Sequence, residues 1–276
     1  MRKTALAVPL GLTLLFSFFS CGTIVQLVDS QSFETIYIRA DGSVEGTNLI
    51  ERRDNTYTFL NDVSGNIVIL KDFITLDGSE YALIGTDDSS QRGISLSNRK
   101  NVTVTNMVIM NYHIGISCGG TASNITILNN YVRSCGIGIE FLGSSNHLVK
   151  FNTFKNNDID IAINYVSGNN LITITYNNLN DYVQVWMSEQ QTIDMNFWAD
   201  YNGTDSDGDG IGDSPYFYHG ILQDNYPLME PVSAIPEFPS WVILTMFIIT
   251  TILLMLVHIN KRKHLFWSLE KTWRKE

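Results

Sequence analysis

Between Gly93 and Val183 the chain repeats itself about every 23 residues. Asn101, Asn124, His147 and Asn170 are spaced at that interval, and so are Gly115, Gly138 and Ile161. Three apolar i, i+2 rows recur with them. The first is Val102/Val104, Ile125/Ile127, Val149/Phe151 and Ile172/Ile174, and the second is Ile94/Leu96, Ile116/Cys118, Ile139/Phe141 and Ile161/Ile163. The third couples Asn to an apolar residue: Asn106/Val108, Asn130/Val132, Asn152/Phe154 and Asn177/Leu179.

Period-2 alternation is the mark of a strand with one buried and one exposed side. Three short strands per repeat, with no helical pattern between them, predict one coil of a parallel β-solenoid. Stacking places equivalent residues about 4.8 Å apart, so each apolar row becomes an internal ladder. The Asn of the third row would then bond to the Asn above and below, as stacked amides do in cross-β cores. The stretch from Thr56 to Asn196 has room for about six such coils. The expected fold class is all-β, a parallel β-helix followed by one carboxy-terminal transmembrane helix.

Charge narrows the partners. Between Asp29 and Ser240 stand 10 Lys and Arg against 26 Asp and Glu, whereas residues 261–276 carry 6 against 2. An acidic body of this kind excludes a nucleic-acid partner, which requires clustered Lys and Arg to displace counterions. It is compatible with cations, neutral glycans or a basic protein. Three Cys cannot all pair within one chain, so no disulfide framework is expected.

The two ends read as membrane signals. Arg2 and Lys3 precede an uncharged apolar run, which predicts a signal peptide over residues 1–28. Trp241 to Ile259 is 19 residues long and carries no formal charge apart from a protonated His258. At about 1.5 Å per residue it nearly spans a bilayer core. Lys261, Arg262 and Lys263 follow at once, which predicts a cytoplasmic tail over 260–276 and an extracytoplasmic body. Residues 230–240 contain the prolines of a stiff spacer. Pro236-Glu237-Phe238, the apolar span and the basic tail together resemble the PEF-type sorting signals of archaeal surface proteins.

The body itself begins with residues 29–55, read as amino-terminal strands and a cap, and continues as a solenoid over 56–198. An Asp-rich loop over 199–229 closes it. Asp41-Gly42-Ser43-Val44, Tyr57-Thr58-Phe59 and Ile74-Thr75-Leu76-Asp77-Gly78 resemble the opening of the NosD-like family. Asn196-Phe197-Trp198-Ala199-Asp200-Tyr201, Asp205 to Tyr216 and Asp224-Asn225-Tyr226-Pro227-Leu228 are similar to that family's closing block. The resemblance implies a right-handed parallel β-helix built from the CASH repeat, named for carbohydrate binding and sugar hydrolysis, in an outer-surface or periplasmic location. It also implies a role such as that of the name-giving member, which assists copper-site maturation beside a membrane transporter.

Four constellations carry chemistry. Asp205, Asp207 and Asp209 occupy positions 1, 3 and 5 of an EF-hand-like loop, with Gly210 at 6, the Ile211 carbonyl at 7 and Asp213 at 9. Alternating short carboxylates and glycines let a chain wrap a hard cation, and Ca²⁺ is the expected ion. Tyr216 replaces the bidentate Glu of position 12, so Asp200 or Asp224 would have to close the shell. For copper, the soft candidates are Met107, Met110, His113, Cys118 and Cys135. The rows argue against them, because Cys118 falls between Leu96 and Phe141 on an inward row, where a thiol acts as a small hydrophobe.

Glycan cleavage needs two carboxylates a few ångströms apart. The outward row Ser95, Ser117, Glu140, Ala162 holds one acid, and Thr103, Thr126, Lys150, Thr173 holds none. Asp158 and Asp160 remain as the candidate catalytic pair, i, i+2 on one side of an extended segment. The Thr- and Asn-rich face suits sugar hydrogen bonding, with Tyr112, Tyr131 and Tyr165 for stacking. Asn101, Asn124 and Asn202 head glycosylation sequons, and the first two should stack at one corner. The leading expectation is a membrane-anchored, extracytoplasmic, non-catalytic module for a polysaccharide or cell-envelope glycan. A hydrolase or lyase using Asp158 and Asp160 is the first alternative, and a NosD-like accessory in copper-site maturation is the second.

Overall fold

The computed structural model describes residues 33–165, 171–180, 182–186, 191–218 and 222–233. The signal peptide, the span Trp241–Ile259, the basic tail, Asn170 and most of the spacer lie outside the described residues. Among the described residues no helix is long and apolar enough to cross a membrane.

The described chain is an all-β parallel solenoid of about six turns. One face stacks Arg92–Ser95, Ile114–Gly119, Ile137–Leu142, Ile159–Asn164 and Tyr182–Trp186. A second stacks Thr56–Phe59, Ile74–Asp77, Val102–Thr105, Thr126–Leu128, His147–Lys150, Ile172–Thr175 and Thr192–Asp194. The third stacks Ala82–Ile84, Val108–Met110, Tyr131–Arg133, Thr153–Lys155, Asn178–Leu179 and Phe197–Trp198. The strand Val63–Ile69 serves two faces, pairing with Ala82–Ile84 through its first residues and with Arg92–Ser95 through its later ones. It turns the corner at Gly65, whose φ of 147° no side chain adopts readily. Parallel pairing starts at Glu34–Ile38, which lies beside Val63–Ile69.

The expected apolar rows fill the interior. Ile94, Leu96, Ile116, Cys118, Ile139, Phe141, Ile161 and Ile163 are all at 0% exposure, so Cys118 is packing, as its row requires. Each such side chain withdrawn from water contributes about 1.5–3 kcal/mol. Gly115 and Gly138 have no side chain to place between this face and Val132 and Phe154 of the third, and those larger residues occupy the space.

The structure corrects the register in two coils. On the third face the first coil presents Met107 and Ile109 inward, where Asn106 and Val108 were expected; Ile109 pairs with Val132. On the second face the third coil presents His147 and Val149, where Val149 and Phe151 were expected; His147 pairs with Ile172. Leu148 consequently takes the outward place assigned to Lys150, beside Thr126 and Thr173. The coils differ in length, and successive equivalent residues along the Asn row are 23, 22, 25 and 19 apart. The differences are absorbed at corners, where single left-handed residues recur: Asn101, Asn124 and Asn146 at one, and Asn106, Asn129, Phe151, Tyr176 and Met195 at another. Asn tolerates this backbone region better than most L residues, which accounts for much of the Asn in the sequence.

Candidate functional site

The Asn row ends in a carboxylate. The backbone N–H of Asn130, Asn152 and Asn177 donates to the side-chain Oδ1 of Asn152, Asn177 and Asn196 in turn, at 2.9, 2.9 and 3.0 Å. The Nδ2 of each follows the same direction at 3.0, 3.0 and 3.1 Å. Below, the Met107 N–H donates to Asn130; above, Asn196 N–H donates to Asp224 Oδ2 at 2.9 Å. Asp224 is 1% exposed and also accepts from Trp198 Nε1, Met195 N and Tyr226 N. Burial pushes its carboxyl up from the ordinary range, and these donors pull it back. Asp224 is therefore committed to the ladder and does not close the ion loop. Asp200 accepts from the Tyr216 hydroxyl at 2.8 Å.

The loop itself brings three of its expected ligands together. Carboxylate oxygens of Asp205, Asp207 and Asp209 lie within 4.8 Å of one another, the only such group of His, Cys, Asp or Glu among the described residues. Asp205 also accepts from the N–H groups of Gly208, Asp209 and Gly210, and Asp209 accepts from Ile211 N–H. Asp213 stands apart from them. Its Oδ2 accepts from Thr204 Oγ1, Ser206 N and Ser206 Oγ, which hold its carboxyl below the usual range. Ile211 forms an antiparallel bridge with Leu228.

The candidate catalytic pair is split. Asp158 is exposed, whereas Asp160 is at 0% exposure and accepts from Asn157 Nδ2 at 3.0 Å and Asn180 N at 2.9 Å. The corner bends between them, so the i, i+2 rule of a straight strand does not hold and the two carboxylates do not share a side. Asn157 continues the bracing, accepting from Cys135 N and donating to the Val132 carbonyl.

The soft donors do not converge either. Cys118 is fully buried and burial pushes its thiol far up; Cys135 is 3% exposed with its thiol pushed up to about 11. Neither thiol belongs to a group of three or more His, Cys, Asp or Glu side chains close enough to share an ion among the described residues. Met107 is core, Met110 Sδ lies 3.1 Å from the Arg133 guanidinium, and His113 is exposed at a corner. His147 sits in the core, stacked on Phe141 with ring centroids 4.8 Å apart. Its Nδ1 accepts from Ile125 N–H at 3.2 Å, the task an Asn oxygen performs elsewhere in the stack, and its Nε2 has no hydrogen-bond partner among the described residues.

The second face carries a shallow groove of about 490 Å³ at its Asn corner. Asn101, Thr103, Asn124, Thr126, Asn146 and Thr173 line it together with His147 and the apolar Ile125, Leu148 and Leu171, and among the described residues no carboxylate, Lys or Arg does. The sequon residues Asn101 and Asn124 do stack, Asn124 Nδ2 donating to Asn101 Oδ1 at 3.3 Å, while Asn202 is exposed in the closing block. Of the tyrosines expected for stacking, Tyr112 is at 0% exposure with its hydroxyl on the Gly65 carbonyl, Tyr131 is half-buried and Tyr165 is exposed.

Sequence reasoning missed Asn196 and Asp224 as ladder members. The 19- and 28-residue separations from their lower neighbours hide them from a search at 23. Asn196 was nonetheless detectable from the Asn-x-apolar pattern of Asn196-Phe197-Trp198, the pattern of the third row. A model of the family described as periplasmic copper-binding protein (NosD) matches residues 22–218. No curated protein and no solved structure matches the chain.

Proposed function

This chain belongs to the NosD family, and from that premise we propose that it is an extracytoplasmic, non-catalytic β-helix that holds a neutral glycan along its Thr/Asn groove. One observation carries the reading: among the described residues the groove offers hydroxyls and amides from four successive coils and no Lys, Arg, Asp or Glu. Spaced about 4.8 Å apart, such groups match the repeating hydroxyls of an extended polysaccharide without a desolvated charge to oppose it. The split of Asp158 from Asp160 favours binding over cleavage. In this reading Trp241 to Ile259 anchors the chain, and Ca²⁺ held by Asp205, Asp207 and Asp209 stiffens the closing loop.

The family description raises copper. Among the described residues the thiols are buried in the packed interior, the thioethers are dispersed and no three soft donors converge, so this donor set does not fit copper, and no step is derived through it.

Affinity electrophoresis of the full chain against soluble polysaccharides tests the glycan reading. Retention should appear without release of fragments, and Thr103→Lys with Thr126→Lys should abolish it. Retention that survives both substitutions, or cleavage of the polymer, defeats the proposal.

A further inference from the structure

The corner between the third and first faces holds a cavity that the glycan reading leaves unused. Successive coils turn there through Asp87, Asn111, Ser134 and Asn156, with φ of 63°, 63°, 54° and 56°. Two residues further on in the three upper coils stand His113, Gly136 and Asp158. The hydrogen bonds Ile137 N to His113 O and Ile159 N to Gly136 O stack these coils directly. Gly136 thus lies between His113 and Asp158, one coil from each.

With no side chain at Gly136, a notch of about 390 Å³ opens. Asp87, Ser89, His113, Ser134, Asn156 and Asp158 line it, with the buried Cys135 behind them. A Cβ at position 136 would meet the His113 carbonyl oxygen at 2.9 Å and its Nδ1 at 3.2 Å, so any other residue would crowd the imidazole and fill the space. No ion pair among the described residues engages Asp87 or Asp158. Among the described residues neither Lys nor Arg lines the notch. Arg133 and Lys155 stand just outside, on the strands leading into the corner, and the Arg133 guanidinium lies against Met110 Sδ.

The charge and the spacing identify a ligand class. Two carboxylates, an imidazole, two hydroxyls and an amide present acceptors to a cation. They do not form the shell of a single ion, because the only donors gathered within 4.8 Å among the described residues are those of the Asp205 loop. Asp87 and Asp158 stand on coils three rises apart, so a ligand that meets both must spread its positive charge over about 14 Å. We propose that the notch binds an aliphatic polyamine lengthwise along the corner. One ammonium lies at Asp158 and another at Asp87, with His113 and Asn156 accepting hydrogen bonds between them. The net charge of −10 raises the local concentration of such a cation.

Isothermal titration of the full chain with spermidine and with 1,4-diaminobutane tests this. Saturable 1:1 binding that weakens with salt is expected, with spermidine tighter. Asp158→Asn and Asp87→Asn should each weaken it about tenfold, the effect of one charge-assisted hydrogen bond. Gly136→Ala, whose Cβ presses on the His113 carbonyl oxygen at 2.9 Å, should weaken binding similarly and lower the melting temperature, so the two Asn variants, with unchanged circular dichroism and melting temperature, carry the test. Polysaccharide retention on the second face should be unaffected by all three, so the two proposals stand or fall separately. Absence of saturable binding, wild-type affinity in both Asn variants, or mole-for-mole displacement of spermidine by Zn²⁺ would overturn the assignment.

Discussion

Asn196 donates both its backbone N–H and its side-chain amide to a single oxygen of Asp224, at 2.9 and 3.4 Å, 28 residues away in the chain. The carboxylate accepts without donating, so it can end a ladder in which every other member needs a neighbour on each side. Asp224→Ala should therefore strand several buried donors and cost roughly 3 kcal/mol or more. Asn177→Leu, which breaks the ladder midway, should cost a comparable amount. Urea unfolding measures both, with the exposed Asp200→Ala as a control expected to cost under about 1 kcal/mol.

His147 should make stability fall with acid. Burial pushes its imidazole from 6.5 down to about 4. The folded value lies below the unfolded one, so its contribution is complete above about pH 6.5 and is lost as pH falls toward 4, because the unfolded chain takes up the proton first. Across that window the loss amounts to about 3 kcal/mol. His147→Ile, matching Ile125 and Ile172 in the same row, should flatten the dependence in thermal melts at pH 4 to 7. An unchanged slope would mean that other groups set it.

The two described thiols should resist alkylation to different degrees. Cys118, fully buried, should react with iodoacetamide only on global unfolding, and Cys135, at 3% exposure with its thiol near 11, only slightly faster. Peptide mass spectrometry after timed labelling reads both. Rapid native labelling of Cys118 would contradict its inward register.

Calcium at about 10⁻⁴–10⁻³ M should raise the melting temperature, and excess chelator should lower it again. Asp205→Asn and Asp209→Asn should remove the response. Asp213→Asn should leave much of it, because that carboxylate is already held by Thr204 and Ser206. A melting temperature indifferent to calcium would leave the loop as a solvated acidic turn.

Much of the architecture was legible in the sequence, and the exceptions share one cause. Cys118 could be turned inward from its row alone, and the amide ladder could be anticipated from Asn130, Asn152 and Asn177. Met107, His147 and Leu148 could not, because coil length varies at the corners and a slip of one residue sends a strand side chain to the opposite face. The site suffered more than the fold. The split of Asp158 from Asp160 depends on a local bend that the spacing i, i+2 does not reveal.

The sequence by itself determined the solenoid, its three apolar ladders and the acidic loop, since periodicity and charge spacing are properties of the linear chain. Only the tertiary structure decided which polar residues face inward, that Asp224 closes the ladder in place of completing an ion shell, and that Gly136 opens a notch between His113 and Asp158. Those outcomes depend on stacking one coil on the next. That stacking sets residues some 23 positions apart about 4.8 Å from one another, and there the partners in the adjacent coils decide what each side chain does.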